Sequence, residues 1–271
     1  MKAMKEEIEQ LKKEKNAVIL AHYYVPKEVQ EIADFVGDSY YLSKKARETE
    51  ADIIVFAGVS FMGESAKILN PTKKVLLPDA EADCAMAHMA SAKKVQEMRE
   101  KYEDLAVVCY INSTAALKTV SDVCVTSSNA VKIVKALPNR NIFFIPDENL
   151  GSYVAKQVPE KNILLNDGYC PVHKQITVET VRQAKAKHSQ AEFLAHPECT
   201  EEILAEADFI GSTADIIHYA EKSSKQEFLI GTEDGVFAEL MKKCPDKRFY
   251  SVMQGQCCVD MKKVTLEKVR D

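Results

Sequence analysis

Apolar residues come in short runs, separated by stretches in which they recur at helical spacing. Met4, Ile8 and Leu11 share one face of the charged segment MKAMKEEIEQLKKEK, at i, i+4 and i+7. Val95, Met98 and Tyr102 do the same later in the chain. A β-rich run follows each such helix: AVILAHYY (17–24) and LAVVCYIN (105–112), with AEFLAHPE (191–198) as a third of the same kind. Next come a helix, a second apolar run (DIIVFAG, NIFFIP, EFLIG), another helix, a proline, a further strand and a turn. Strands alternating with helices predict parallel βαβ units whose sheets are covered on both faces.

The pattern occurs three times. His22, Tyr110 and His196 occupy one column, and the step from His22 to Tyr110 is 88 residues, from Tyr110 to His196 86. Asp34, Asp122 and Asp208 in IADFVGDS, TVSDVCVTS and EADFIGST repeat these two steps, as do Pro71, Pro159 and Pro245. The same offsets at several columns predict a triplicated α/β fold. Three homologous three-layer αβα sandwich domains with parallel sheets are expected, over 1–86, 87–172 and 173–271, in a pseudo-threefold arrangement around a central site. The tail KVTLEKVR (263–270) is read as the start of a helix that packs back on an earlier unit.

Composition narrows the function classes. With 46% hydrophobic and 28% charged residues, the chain is not a largely disordered one. A net charge of −5 gives no electrostatic case for nucleic acid. No apolar run approaches the ~20 residues that span a bilayer, and the charged N-terminus does not read as a signal peptide. No membrane partner and a cytoplasmic location are therefore expected. The nine glycines form neither G-x-G-x-x-G nor a P-loop, which disfavours nucleotide sites of those kinds.

Eight cysteines then change the picture. In a reducing compartment they point to metal binding, catalysis or burial rather than disulfides. There is no C-x-x-C and no H-E-x-x-H. Yet Cys84 follows the strand KVLLPD, Cys170 follows NILLND, and the pair Cys257–Cys258 follows RFYSVM. Parallel sheets bind ligands beyond the carboxyl ends of their strands. Three equivalent loops would thus supply three thiolates, a set suited to an iron–sulfur cluster or to zinc. Cys109 and Cys124, inside apolar strands, are read as small core residues, and Cys199 and Cys244 as structural or incidental. Other polar columns end strands too: Tyr24, Asn112 and Glu198 lie two residues after the His/Tyr/His column. Ser39, Ser127 and Thr213 stand where the next helix begins. They are good N-caps, and helix N-termini aimed at one centre would also bind an anion.

These residues sit in motifs that closely resemble the quinolinate synthase family of the NadA type. The motifs are AHYYVPKEVQEIADFVGDSYYLS (21–43), LPDAEADCAMA (77–87), VCYINSTAALK (108–118), VTSSNA (125–130), IFFIPDENLG (142–151), DGYCPVH (167–173), AHPEC (195–199), GST (211–213) and CCVDMKKVTLEK (257–268). The resemblance implies one 4Fe–4S cluster per chain on Cys84, Cys170 and Cys258. Cys258 is preferred to Cys257 because it matches the family's cysteine–two residues–methionine pattern, Cys258-Val-Asp-Met261. The implied reaction condenses iminoaspartate with dihydroxyacetone phosphate to quinolinate, releasing phosphate and two waters, in de novo NAD biosynthesis. The open iron would act as a Lewis acid. Glu198 is the expected main acid–base group, with Tyr110 and Asn112 orienting a substrate oxygen. His22, Ser39, Ser127, His196 and Thr213 are expected on carboxylate or phosphate oxygens, His196 also in proton transfer, and Tyr24 closing over the site. The two substrates are the expected partners, and the enzyme that makes iminoaspartate is a further candidate. A C-x-x-C redox pair found near the end of some family members is absent, so that switch is not carried over. Family chains often run beyond the helix that begins near Thr265, and a short C-terminus is expected here.

Overall fold

The computed structural model describes residues 2–271. Two compact units emerge: one formed by the residues up to Cys84 with Cys257–Asp271, the other by Ala85–Gln256. In the first, β1 (Ala17–His22), β2 (Phe35–Gly37), β3 (Ile53–Ala57) and β4 (Lys74–Leu76) form one sheet in the order β2-β1-β3-β4. The second unit holds two sheets. One contains β5 (Leu105–Tyr110), β6 (Val123–Val125), β7 (Asn141–Ile145) and β8 (Asn162–Leu165), in the order β6-β5-β7-β8. The other contains β9 (Glu192–Ala195), β10 (Phe209–Ile210), β11 (Glu227–Gly231) and β12 (Arg248–Ser251), in the order β10-β9-β11-β12. Every pairing is parallel. The chain is thus three αβα sandwiches of one topology, as the repeat predicts. The short segments before Ser39, Ser127 and Thr213 add an edge strand of three, three and two residues to the three main strands of each sheet.

The apolar runs become the inner strands because both of their faces are covered. All six residues of β5 are buried, and so are five of the six in β1. Two repeated columns turn out to be backbone fastenings. Asp34, Asp122 and Asp208 each stand one residue before an edge strand. Their carboxylates accept the N–H of Ile19, Val107 and Phe193 at 2.8, 2.6 and 2.7 Å. Their own N–H groups donate to the carbonyls of those same residues, at 3.0, 3.0 and 2.8 Å. Each aspartate therefore sets the register at which the edge strand meets its neighbour. Two residues after the repeated proline stands a lysine. Lys161 Nζ donates to the carbonyls of Leu137 and Asn139 at 2.5 and 2.8 Å, and Lys247 Nζ to Ala220 and Ser223, both at 2.6 Å. Lys73 Nζ likewise donates to the carbonyl of Thr49. All three meet carbonyls at or just beyond the end of a helix, where the macrodipole favours a cation.

The tail packs back as expected, on the first unit. Thr265 caps the helix Leu266–Arg270, and Leu266 is buried with Ile8, Ile19 and Ile32, where Met4 and Val269 also pack. Among the described residues, no helix is long and apolar enough to cross a membrane.

The aspartate fastening can be tested at Asp208. Asp208→Ala leaves the N–H of fully buried Phe193 without that acceptor and should lower the unfolding free energy by about 1–3 kcal/mol. Asp208→Asn keeps an acceptor oxygen and should recover most of the loss in chemical denaturation. Equal losses in the two variants would mean that the carboxylate charge, not the bond, stabilises the edge.

Candidate active site

The carboxyl ends of β5, β8 and β9 carry a buried polar cluster in the second unit. Leu105, Val107 and Cys109 point into one apolar layer, so the alternation of the strand sends Tyr110 to the opposite face. After β9, His196 N–H still donates to Gly231 O at 3.2 Å, and Cys199 N–H then closes a turn onto His196 O at 2.9 Å. That turn presents Glu198. The loop after β8 runs against Pro146: a Cβ on Gly168 would lie 2.4 Å from the Pro146 carbonyl oxygen, so only glycine allows the approach. Cys170 then opens the short helix Pro171–Lys174, which places His173 one turn on.

Glu198 is the centre of this cluster and is 4% exposed. Tyr110 donates its hydroxyl to Glu198 Oε1 at 2.6 Å, and Asn112 Nδ2 lies 3.5 Å from the same oxygen. His173 Nδ1 lies 2.8 Å from Glu198 Oε2 and 3.2 Å from Cys170 Sγ. Its Nε2 meets Thr232 Oγ1 at 2.9 Å. An ionised carboxylate only accepts, so His173 carries its proton on Nδ1. Cys170, His173 and Glu198 thus bring a thiol, an imidazole and a carboxylate within 4.8 Å of one another, a donor set able to hold a metal.

Electrostatics divides the roles. Burial alone would raise the Glu198 carboxyl, but the neighbouring histidines and the bonds from His173 and Tyr110 outweigh it and hold it well below the carboxylate range. His196 is pushed down to about 4, chiefly by burial and against the pull of Glu198. Its ring is therefore neutral near pH 7, and His173 and Tyr110 are the groups that keep Glu198 ionised. Asp147, fully buried at the end of β7, moves the opposite way. Burial, then the charge of Glu198, raise it far above its usual value, although Asn149 and Leu150 N–H donate to it. Of these two carboxyl groups, Glu198 carries the charge and Asp147 keeps the proton.

His196 and His22 use one device. His196 Nδ1 accepts the N–H of Glu198, and His22 Nδ1 that of Tyr24, both at 3.2 Å. With Nδ1 accepting, a neutral ring carries its hydrogen on Nε2, where it can donate to an anion. In the first unit the Tyr24 ring packs edge-on against His22 at 4.5 Å, and its carbonyl accepts from Lys262 Nζ at 2.5 Å. Cys84 and Cys258 also belong to that unit. Cys84 leads into the 3₁₀ turn Ala85–His88, and the Cys258 carbonyl accepts the N–H of Lys262, as Cys170 accepts that of Lys174.

The structure brings Tyr110, Asn112, Cys170, His196 and Glu198 together within the second unit. Two readings need correction. The Ser39, Ser127 and Thr213 column does not cap helices. The caps are Asp38, accepting from Tyr41 N at 2.8 Å, and Ser212, accepting from Asp215 N at 3.2 Å. A cap lies outside the helix with extended backbone, whereas Ser39 and Thr213 are already first helical residues. Ser127 lies in a turn ahead of Asn129, which precedes the helix Ala130–Ala136. Cys124 is not a core residue either: it is exposed, because β6 is an edge strand, while Cys109, Cys199 and Cys244 are buried. His173 was not anticipated, although Cys170-Pro-Val-His173 has the C-x-x-H spacing that puts both side chains on one face of a turn.

The histidine shift predicts acid sensitivity. A folded pKa below the unfolded value of ~6.5 means that the unfolded chain takes up the extra proton as pH falls. Stability is therefore lost between about pH 6.5 and pH 4. Between pH 7 and roughly 4.5, His196 should account for about 2 kcal/mol of the wild-type loss. His196→Asn should lack that increment in urea unfolding. An identical acid loss in both proteins would contradict a buried neutral ring.

The profile of the family described as "Quinolinate synthetase A protein" (NadA) matches residues 6–271. The chain is 56% identical over 268 residues to the quinolinate synthase of Caldicellulosiruptor saccharolyticus, spanning 99% of this chain and 88% of that protein. Identity to the quinolinate synthase of Fusobacterium nucleatum is 56% over 266 residues, spanning 98% and 89%. To quinolinate synthase 2 of Methanosarcina acetivorans it is 51% over 264 residues, spanning 97% and 85%. With likeness of this extent running through all three sandwiches, the chain belongs to the NadA family.

Proposed function

We propose that the protein is a quinolinate synthase that condenses iminoaspartate with dihydroxyacetone phosphate, releasing phosphate and two waters. The observation that carries this reading is the buried Glu198 carboxylate, bonded to the Tyr110 phenol on one side and on the other to His173, whose Nδ1 also reaches Cys170. The names of the relatives point the same way.

Cys84, Cys170 and Cys258 would hold a 4Fe–4S cluster. Their chemistry fits: all three are partly accessible thiols in no disulfide. Cys258 is taken over Cys257 as the third ligand because it matches the family's cysteine–two residues–methionine pattern, Cys258-Val-Asp-Met261. When bound, the cluster supplies a Lewis-acidic iron open to a substrate oxygen. The remaining chemistry is the chain's own. Glu198, ionised and dry, takes a proton from substrate; Tyr110 gives its own to the departing oxygen and regains one from Glu198 across the 2.6 Å bond that joins them. Asn112 orients the oxygen that is lost. The Nε2–H groups of His22 and His196 and the hydroxyls of Ser39, Ser127 and Thr213 bind carboxylate and phosphate oxygens. Tyr24 covers the substrate and excludes water.

The test is turnover of the anaerobically prepared protein with the two substrates, with iron and sulfide measured on the same sample. Wild type should form quinolinate and carry about four irons per chain. Glu198→Gln should lower kcat by roughly 10²–10⁴-fold with iron content unchanged. Cys258→Ser should lose the iron and Cys257→Ser keep it. Full activity in metal-free protein would overturn the cluster reading.

Because Ser127 caps no helix, its hydroxyl can be removed cleanly. Ser127→Ala should leave chemical-denaturation stability within about 0.5 kcal/mol. Loss of a charge-assisted bond should lower kcat/KM by roughly 10–150-fold. Wild-type kcat/KM in this variant would remove the column from the substrate site.

A further inference from the structure

Cys109 and Cys124 are directly paired across the parallel strands β5 and β6. Adjacent strands run about 4.8 Å apart, and paired residues in a parallel sheet project to the same face. A disulfide needs Cα atoms within about 4.4–6.8 Å, so this pairing satisfies the first requirement. The two differ in access: Cys109 is fully buried among Val95, Val107, Leu117 and Phe143, whereas Cys124 is exposed on the edge strand. The edge strand has three residues and a neighbour on one side only, so it can yield to the small shift that bond formation asks of it. Two stacked core cysteines would both be covered, and one of these is not.

We propose that Cys109 and Cys124 form a reactive dithiol site that small-molecule disulfides oxidise to a Cys109–Cys124 bond. The step balances without another reagent. Cys124 thiolate attacks one sulfur of the small disulfide, forming a mixed disulfide and expelling one small thiolate. Cys109 thiolate then attacks Cys124 Sγ and expels the second. The protein loses two electrons and two protons, and one small disulfide becomes two thiols. The neighbouring Cys109 thiol and burial push the Cys124 thiol up, whereas Cys124 draws Cys109 down to about 7, so the accessible thiol reacts through its small ionised fraction and the buried one completes the bond. Closure also withdraws Cys109 Sγ from the Tyr110 carbonyl, which it meets at 3.4 Å. Neither cysteine is one of the three proposed cluster ligands, and the proposal does not depend on the proposed activity.

Trypsin makes the test direct, because residues 102–118 and 119–132 form two peptides that each contain a single cysteine. The holoprotein is incubated anaerobically with excess oxidised glutathione, at which a reference dithiol peptide is fully oxidised. It is then unfolded, alkylated and digested. The two peptides should emerge joined in most molecules, two hydrogens lighter than their sum, and separate on treatment with dithiothreitol. Cys109→Ser should stop at glutathione on Cys124, and Cys124→Ser should leave Cys109 alkylated and unmodified by glutathione. Wild-type protein that keeps glutathione on Cys124 with Cys109 alkylated, or that shows both cysteines alkylated, would overturn the proposal.

Discussion

A carboxylate withdrawn from water must be given donors, and the cluster in the second unit is arranged around that demand. Glu198 has almost no solvent contact, yet it is held ionised because Tyr110 and His173 replace water at its two oxygens. Both donors follow strands of one sheet and the carboxylate follows a strand of the next. Tyr110 ends β5, His173 follows β8, and Glu198 itself follows β9. Parallel strands make this possible, since all of them deliver their carboxyl ends to the same edge of their sheet. The charge of Glu198 also fixes its neighbours. It adds to the burial that keeps Asp147 protonated and obliges His173 to carry hydrogen on Nδ1. His196 stays neutral against the pull of this ion, because burial outweighs the charge there.

The division between scaffold and chemistry was partly legible in the chain. Apolar runs marked the inner strands because burial on both faces demands continuous hydrophobic sequence. The edge strands were harder to see, since two or three residues with one neighbour carry little pattern. Cys124 was misjudged for the same reason: a residue in an apolar run looks buried, but an edge strand shows one side to solvent. Ser39 and Thr213 do open helices, as the column suggests, but neither caps one, and Ser127 stands in a turn before its helix. Capping depends on a one-residue difference in backbone conformation, which composition does not resolve when Asp38 or Ser212 stands next door. His173 was missed because its partner Glu198 lies 25 residues away and only the fold joins them. Asp147 was missed for a related reason: the aspartate of PDEN reads as a helix cap, which it is, and its proximity to a second carboxyl group is a tertiary fact.

Between the repeats, some columns stay constant and others diverge. Asp34, Asp122 and Asp208 are the same residue with the same two backbone bonds, and the lysines after the repeated prolines are the same residue on the same kind of carbonyl. The columns at the strand ends instead read His, Tyr, His and Tyr, Asn, Glu. A residue whose partner is main chain has a partner that no substitution alters. Apolar core residues have no such anchor, because any neighbour of suitable volume can compensate for a change.

The aspartate and lysine fastenings therefore say what drift would erase last. As copies of an ancestral unit separate, their cores can exchange leucine for isoleucine or phenylalanine freely, and pairwise identity decays. A side chain that bonds to the peptide backbone cannot follow a partner through compensating exchange, since the peptide does not mutate. The kinship of the three sandwiches, and of more distant proteins built on the same unit, should then survive as a sparse signature. It would be an aspartate one residue before the edge strand and a lysine two residues past a proline, long after the strands between them have lost their resemblance.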